Sequence, residues 1–433
     1  MHRIVIVGGG AGGLELATRL GDRLGAGNRA QVTLVDRWPT HVWKPLLHEV
    51  AAGSLDTNTH QITFAAHAHW HHFGFVQGEM TGLSRANKEV SVAPVYDNDG
   101  VEIIPARTLQ YDTLVLALGS RTHFFGVNGA QKNAITLDTL EQAELLRKRL
   151  LQACLRKRAF NQGSSDQAVD IAIIGGGATG VELAAELRRM EDTFRQFGLL
   201  SGEKQHQMRI TLLEAGGRIL PALSDKVSNA TQSLLERMSV VVSVADPVDN
   251  VAANFVKTKS GRSIAADVTI WAAGIKAPDV LSSLDGITVN RINQVKVTQT
   301  LQSVADGDIF ALGDCASCAW TDDRMVPPRA QAAHQQAVFL FKALTARIRG
   351  RPMGVFAYRD HGSLISLGSS TAVGSLSNRA TSRSIFVQGL VAKVMYAALY
   401  RKHLAAVSGL RHTAIALLAH SLRRVASPRV KLH

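Results

Sequence analysis

The sequence predicts an α/β chain with two parallel-sheet domains and a C-terminal amphipathic helical segment. Two observations predict it. An apolar strand, a glycine loop, a helix and a second strand follow one another in that order twice, and no Asp or Glu follows Asp360. A chain of 433 residues is long enough for two or three domains and a large core. With 46% hydrophobic and 19% charged residues it reads as globular, not disordered. Glycine is frequent without a G-x-y period, which excludes a collagen-like chain. Three cysteines are too few for a disulfide framework, so a reducing compartment is expected.

The first element runs from Ile4 to Val7 and meets a loop in which Gly8, Gly10 and Gly13 fit G-x-G-x-x-G. Leu14, Leu16, Ala17, Leu20 and Leu24 then recur at helical spacing, and Gln31–Val35 forms a strand ending at Asp36. In such a unit the first glycine permits the tight turn. The second lets backbone approach a pyrophosphate, and the third lets helix and strand pack closely. The helix start offers unpaired N–H groups to the phosphates, and Asp36 is placed to accept from ribose hydroxyls. Taken alone the loop is only a glycine-rich turn. The strand, helix and terminal acid around it favour a dinucleotide site.

The pattern returns at Val169–Ile174, with Gly175, Gly177 and Gly180 in the loop. A helix opens around Glu182–Leu187, and Arg209–Leu213 leads to Glu214. An acid there favours a free 2′-hydroxyl, hence NADH over NADPH, and nearby Arg218 weakens that preference slightly. Two Rossmann-like domains in one chain imply electron transfer between two bound dinucleotides. A third strand, Gly307–Leu312, ends in Gly313-Asp314. Beside the first unit, Asp314 would face the ribitol or phosphates of a flavin dinucleotide; alone it is just a turn.

These features resemble flavoprotein pyridine-nucleotide oxidoreductases, and among them the type II NADH dehydrogenases, single-subunit NADH:quinone oxidoreductases. Segments along nearly the whole chain carry the resemblance: Gly8–Gly13, Trp43–Ala51, Tyr111–Ser120, Gly175–Glu182, Thr269–Ile275, Gly313–Cys315 and Pro327–Gln336. The last is similar to the family's A-Q-x-x-x-Q-Q quinone motif, with Gln331 and Gln335 in glutamine positions. Leu118 departs from the family's usual Thr, with no functional consequence expected.

The resemblance implies non-covalent FAD held by Gly8, Gly10, Gly13, Asp36, Lys44, Gly119, Asp314, Ala330 and Gln331. It implies NADH, as substrate, at Gly175, Gly177, Gly180, Glu182, Glu214, Ala273 and Gly274, and a membrane quinone at Gln331, His334 and Gln335. Glu182, Gln331 and Gln335 are the catalytic candidates. Glu182 would lie near the nicotinamide and flavin and influence NADH binding or proton delivery; Glu15, at the same place in the first loop, would support flavin binding. The helix after Pro327 and Pro328 would point its positive end at the flavin pyrimidine ring. Without the resemblance, Gln331 and Gln335 read as two solvated glutamines sharing one helix face. The implied boundaries are an FAD domain at 1–118 and 292–345, an inserted NADH domain at 119–291, and a membrane-association region at 346–433.

Several signals point elsewhere and are weaker. Cys315 and Cys318 form C-x-x-C, but no further zinc ligands stand at matching spacing, so both read as small buried residues. Disulfide reductases of this architecture carry a reactive cysteine pair after the first ribose acid or beside the second loop. Residues 37–60 contain no cysteine, and Cys154 is alone. His67, His69, His71 and His72 suggest a metal cluster, yet on a strand only alternate positions share a side and no carboxylate accompanies them. No metal is expected.

The C-terminal part decides the remaining question. Of the net +13, +10 lies after Asp360, on Arg379, Arg383, Lys393, Arg401, Lys402, Arg411, Arg423, Arg424, Arg429 and Lys431. Leu390, Val391, Val394, Met395, Ala398 and Leu399, then Leu404, Val407 and Leu410, then Ile415, Leu417, Leu418 and Leu422, recur at helical spacing, with a break at Ser408-Gly409. Acid-free basic, apolar helices fit an anionic membrane surface better than nucleic acid, which would call for more aromatics. The competing readings are a basic hairpin packed on its own domain, or a homodimer interface. The amino terminus leads straight into a strand and lacks a leader's apolar run. No stretch reaches the ~20 apolar residues of a spanning helix. The expectation is therefore a non-proton-pumping NADH:quinone oxidoreductase, peripheral on the cytoplasmic face of the membrane. Alternatives are a soluble NADH-dependent reductase for a protein partner or oxygen, a sulfide:quinone oxidoreductase, which would need a redox cysteine pair, and a non-catalytic flavin and NADH sensor.

Overall fold

The computed structural model describes residues 1–55, 60–160, 168–198, 200, 206–321, 324–368, 371–377 and 384–426. The chain forms two compact units. One combines Met1–Trp43, His60–Arg121 and Ile275–Arg359; the other combines Lys44–Thr59, Thr122–Gly274 and Asp360–His433.

The first unit holds a six-stranded sheet in the order Gln302–Ser303, Asp306–Ala311, Thr113–Leu116, His2–Val7, Ala30–Asp36, Gly74–Gln77. All neighbours are parallel except the short edge strand Gln302–Ser303. Ile4 sits between Val32 and Thr113, and Leu116 pairs with Ala311. Ile4–Val7 and Leu114–Leu116 are buried throughout, which is why they read as unbroken apolar runs: a parallel sheet covered on both faces has no polar side. The helix Ala11–Leu20 packs against the helix Ala330–Ile348.

The second unit repeats the plan with five parallel strands, ordered Ala134–Ile135, Val268–Trp271, Val169–Ile174, Met208–Leu213, Val240–Ser243. It also contains the antiparallel strands Gly362–Leu367, Thr371–Ser377 and Ser384–Gln388, against which the C-terminal helix Leu390–Ala426 packs. That helix is interrupted at Gly409, whose φ of 78° and ψ of 162° no right-handed helix accommodates. The interruption lies at the Ser408-Gly409 step that the apolar spacing indicates. Arg379, Arg383, Arg429 and Lys431 lie outside the described residues, as do the side chains of Leu410, Arg411, Leu417, Leu422, Arg423 and Arg424.

One local expectation is corrected. The histidine run falls not on a strand but on the helix Phe64–Trp70 and the turn after it. Its alanines favour helix, and Phe64 caps the core under the first glycine loop. His67 is spent on Thr18 Oγ1 at 2.9 Å and His71 on Asp22 at 2.9 Å. Among the described residues no group of three His, Cys, Asp or Glu is arranged to hold a metal.

Candidate active site

The two glycine loops are built alike. Gly8 and Gly175 have φ of 107° and 114°, and a Cβ on either would lie 2.3–2.6 Å from the backbone of Ala117 or Ala273. A Cβ on Gly13 would sit 1.9 Å from Gly8 O, and one on Gly180 2.0 Å from Gly175 O. Packing alone therefore demands glycine at the first and third positions. At the second position it does not. A Cβ on Gly10 or Gly177 meets nothing within 4 Å, and each residue is extended and stands directly before a helix N-terminus. The open cradle at a helix start is the space a pyrophosphate takes, so both loops fit a dinucleotide.

Each loop is pinned by the acid at the end of the second strand. Asp36 Oδ2 accepts from Gly9 N at 2.6 Å and Oδ1 from Trp38 N at 2.8 Å. Burial holds this carboxyl above its ordinary pKa, with the two N–H donors pulling it back down. Glu214 repeats the geometry, taking Gly176 N at 2.7 Å and Gly216 N at 2.7 Å. Each carboxylate oxygen retains acceptor capacity for a ribose hydroxyl. His41, a residue the sequence reading missed, supports the first loop from beneath. Burial keeps it neutral, pushed down to about 4, and its Nδ1 donates to Gly9 O at 2.8 Å.

In the first unit Asp314 follows the strand Asp306–Ala311, and its Oδ2 accepts from Ser120 Oγ at 2.8 Å, beside Gly119 at φ 67°. Gln336, also missed, is fully buried and its Oε1 accepts from Gly313 N at 2.7 Å. The Gly-Asp turn is thereby tied to the helix Ala330–Ile348. The doubled glutamine of the sequence motif was the available signal for this role. Gln331, in the first turn, is half-buried. Gln335 is committed to backbone: Nε2 donates to Arg359 O at 2.8 Å and Oε1 accepts from Arg359 N at 3.0 Å. His334 Nδ1 lies 2.7 Å from Glu15 Oε2, and Glu15 also pairs with Arg19 at 2.8 Å. Glu15 and His334 thus join the two packed helices.

In the second unit a cavity of about 600 Å³ is lined by Gly175, Gly177, Glu214, Ala273 and Gly274, with Lys259 among the other lining residues. Arg218 is not in its lining and pairs with Asp225 at 2.5 Å. Lys44 also belongs to this unit, where its ammonium lies 2.9 Å from Asp138.

Glu182 is buried near the start of the helix Ala178–Gln196. Its Oε1 accepts from Ser366 N at 3.0 Å, the Tyr396 hydroxyl bonds the carboxyl, and Oε2 lies 3.8 Å from His48 Nδ1. Burial pushes Glu182 up to about 8, and Glu49 and Glu186 nearby add to the effect. His48 offers no compensating charge, because burial pushes it down to about 4. At neutral pH the carboxyl therefore holds its proton.

The three cysteines of the chain are free and buried. Burial pushes Cys154 and Cys315 up to about 12 and Cys318 up to about 11, away from the thiolate that disulfide exchange needs.

Comparison with known proteins agrees with this geometry. The pyridine nucleotide-disulphide oxidoreductase family model matches residues 2–337. The type II NADH:quinone oxidoreductase of Haemophilus influenzae is 42% identical over the full length of both chains. The chain belongs to this family. The type II NADH:quinone oxidoreductase of Staphylococcus haemolyticus is 29% identical over 87% of this chain and 90% of its own. Among solved structures, Plasmodium falciparum NDH2 in complex with NADH superposes with a TM-score of 0.80 at 19% identity, covering 99% of this chain and 100% of that one. The sulfide:quinone oxidoreductase of Aquifex aeolicus gives 0.72 at 18% identity, covering 94% and 92%. At these identities the structures speak for the fold alone. The family name includes a disulphide chemistry for which the buried thiols here are unsuited.

Proposed function

We infer that this member of the family is an FAD-dependent NADH:quinone oxidoreductase. The observation that carries the reading is the full-length 42% identity to an enzyme of that activity, joined to two glycine cradles left open for dinucleotides. When bound, FAD supplies the two-electron chemistry that joins hydride uptake from NADH to quinone reduction. On this reading Gly8, Gly10, Gly13, Asp36, Gly119, Asp314 and the start of the helix at Ala330 hold FAD. Gly175, Gly177, Gly180, Glu214, Ala273 and Gly274 hold NADH. The geometry around Asp36 and Glu214 supports both assignments, since each acid fixes its loop and retains acceptor capacity.

Reduction of a quinone by NADH consumes one proton besides the hydride. Glu182 is the group we assign to hold it, because its carboxyl is protonated at neutral pH in a dry environment. Gln331, in the first turn of the helix, is the motif glutamine we assign to a quinone oxygen; the two polar atoms of the Gln335 amide hold the Arg359 backbone. His334 and Gln335 then act on the site by fixing the helix that carries Gln331.

Among the described residues no helix is long and apolar enough to cross a membrane. The C-terminal helix nevertheless exposes Leu390, Val391 and Val394 at 72%, 63% and 59%, while Ala392 and Val407 are buried. Arg401 and Lys402 lie exposed further along the same helix. We propose that this face rests on the anionic, cytoplasmic surface of a membrane and gives access to a lipid-soluble quinone. Val391→Glu with Val394→Glu should abolish co-sedimentation with vesicles containing anionic lipid, while reduction of the flavin by NADH continues. Retained binding would place the membrane contact elsewhere.

The reading as a whole is tested anaerobically. NADH should bleach the yellow protein at ~450 nm and a water-soluble quinone should restore the colour. Bleaching without recovery would remove the quinone role. Glu214→Gln should raise the KM for NADH by about tenfold and narrow the preference over NADPH, because one charged acceptor is lost and repulsion of a 2′-phosphate falls. An unchanged ratio of kcat/KM for the two nucleotides would remove Glu214 from the ribose.

A further inference from the structure

The C-terminal helix does more than face outward. Its half-buried Tyr396 reaches the carboxyl of Glu182, on a helix more than two hundred residues earlier in the chain. Tyr396 and Glu182 both belong to the second unit, as do all the groups around them. Glu182 faces His48 and Glu49 from the helix Leu47–Ala51, Glu186 from its own helix, the Ser366 N–H from the strand Gly362–Leu367, and Tyr396. Two cations act on the other carboxyl, Glu186. Arg189 lies 3.5 Å from Glu186, Lys393 is also near it, and Ser54 Oγ donates to it at 3.2 Å. Glu186 is thus partly compensated, whereas Glu182 accepts from two neutral donors. One of these is a backbone N–H and cannot be lost by substitution. The other is the Tyr396 hydroxyl, whose own ionisation burial and the surrounding carboxyls suppress. It remains a hydrogen-bond donor over the whole working range.

We propose that Tyr396 is a positioning residue for Glu182, fixing the carboxyl and setting the pH at which it gives up its proton, so that the helix with the exposed apolar face also governs proton supply to the reaction. The proposal rests on the reading of the chain as an NADH:quinone oxidoreductase. The sign follows from the donor. A hydroxyl that donates to a carboxylate favours the ionised form, so removing it makes Glu182 hold its proton to higher pH. With the protonated form supplying the proton, turnover falls on the alkaline side, and the loss of the hydroxyl moves that limb upward.

The test uses the full-length, FAD-loaded enzyme and Tyr396→Phe. The alkaline limb of kcat for quinone reduction should shift upward by about one pH unit, the worth of one hydrogen bond to a charged group. The rate of anaerobic bleaching by NADH should stay as in the wild type. A limb that does not move, in a variant that binds flavin normally, overturns the proposal and leaves Tyr396 as packing. Glu182→Gln and the double variant Glu182→Gln with Tyr396→Phe should behave alike if Tyr396 acts only through Glu182; additive losses also overturn it. Should Tyr396→Phe fail to fold, infrared titration of the wild type decides. A protonated carboxyl band lost in Glu182→Gln should titrate near pH 8 and shift when tyrosine is replaced biosynthetically by fluorotyrosine; a band indifferent to that replacement overturns the proposal. The infrared readout needs no turnover. A wild type that fails to reduce quinone, yet shows the tyrosine-sensitive band, therefore counts against the functional reading and not against the contact.

Discussion

Gly177→Ala yields a folded, yellow protein that needs about 10- to 100-fold more NADH for the same bleaching. The added methyl meets nothing within 4 Å in the protein itself, and Gly177 already has an extended conformation that alanine adopts without strain. Stability should change little. The cost falls on the ligand, because the methyl occupies the space where the pyrophosphate must approach backbone. Gly10→Ala is the counterpart in the other loop and should produce a folded but colourless protein. Gly180→Ala is the contrasting control: its Cβ would stand 2.0 Å from Gly175 O, so helix and strand must separate and the protein should lose solubility or melt at lower temperature. Nucleotide titration of bleaching, flavin content and thermal melting separate the three. An unchanged KM for NADH in a yellow Gly177→Ala variant would mean that the pyrophosphate does not lie on this loop.

Glu182→Gln should lower quinone turnover by about 10²-fold and leave the bleaching step within about twofold of wild type. The substitution is nearly isosteric, and the amide oxygen still accepts from Ser366 N. What is removed is the proton that the buried carboxyl holds up to about pH 8. The wild-type profile should therefore lose activity as the pH rises through that value, and the variant should be flat there. Stopped-flow measurement of the two half-reactions distinguishes this from a nucleotide-binding role. A slow bleaching step with normal reoxidation would place Glu182 on the NADH side instead.

The architecture was largely legible because its chemistry is local. Glycine spacing, the strand before it and the acid after it lie within a single βαβ unit each time, residues 4–36 and 169–214. Asp36 and Glu214 stand beside their loops where that spacing puts them, and their bonds to Gly9 N and Gly176 N are a second role that the spacing does not announce. The break at Gly409 was readable for the same reason, since a glycine punctuates a helical period on the spot. Contacts between distant segments were not readable. Nothing in the spacing of Gln331 and Gln335 says that the second is occupied by Arg359, or that Gln336 reaches Gly313. Nothing in the spacing of the tail singles out Tyr396, and only the packing of that helix brings its hydroxyl to Glu182. The histidine run misled because helix and strand assignments of a short alanine- and histidine-rich segment depend on what lies beneath it, here Phe64 against Gly9.

The interleaving of the two units sets an order of assembly. By the time Trp271 has left the ribosome, all five strands of the second unit's parallel sheet exist, whereas the first unit still lacks Asp306–Ala311 and the helix Ala330–Ile348. Until then Thr113–Leu116 has no neighbour on one side, and an unpaired apolar strand edge is an invitation to pair with another chain. Of the two parallel sheets, the one proposed to carry FAD is thus the later to be completed, although its first strand is the first to be made. Overexpression that outruns this closure should give pale, aggregated protein, and slower synthesis at lower temperature should restore the yellow, dispersed form. Colour in a growing culture then reports how many chains have joined the early and late parts of the first unit's sheet.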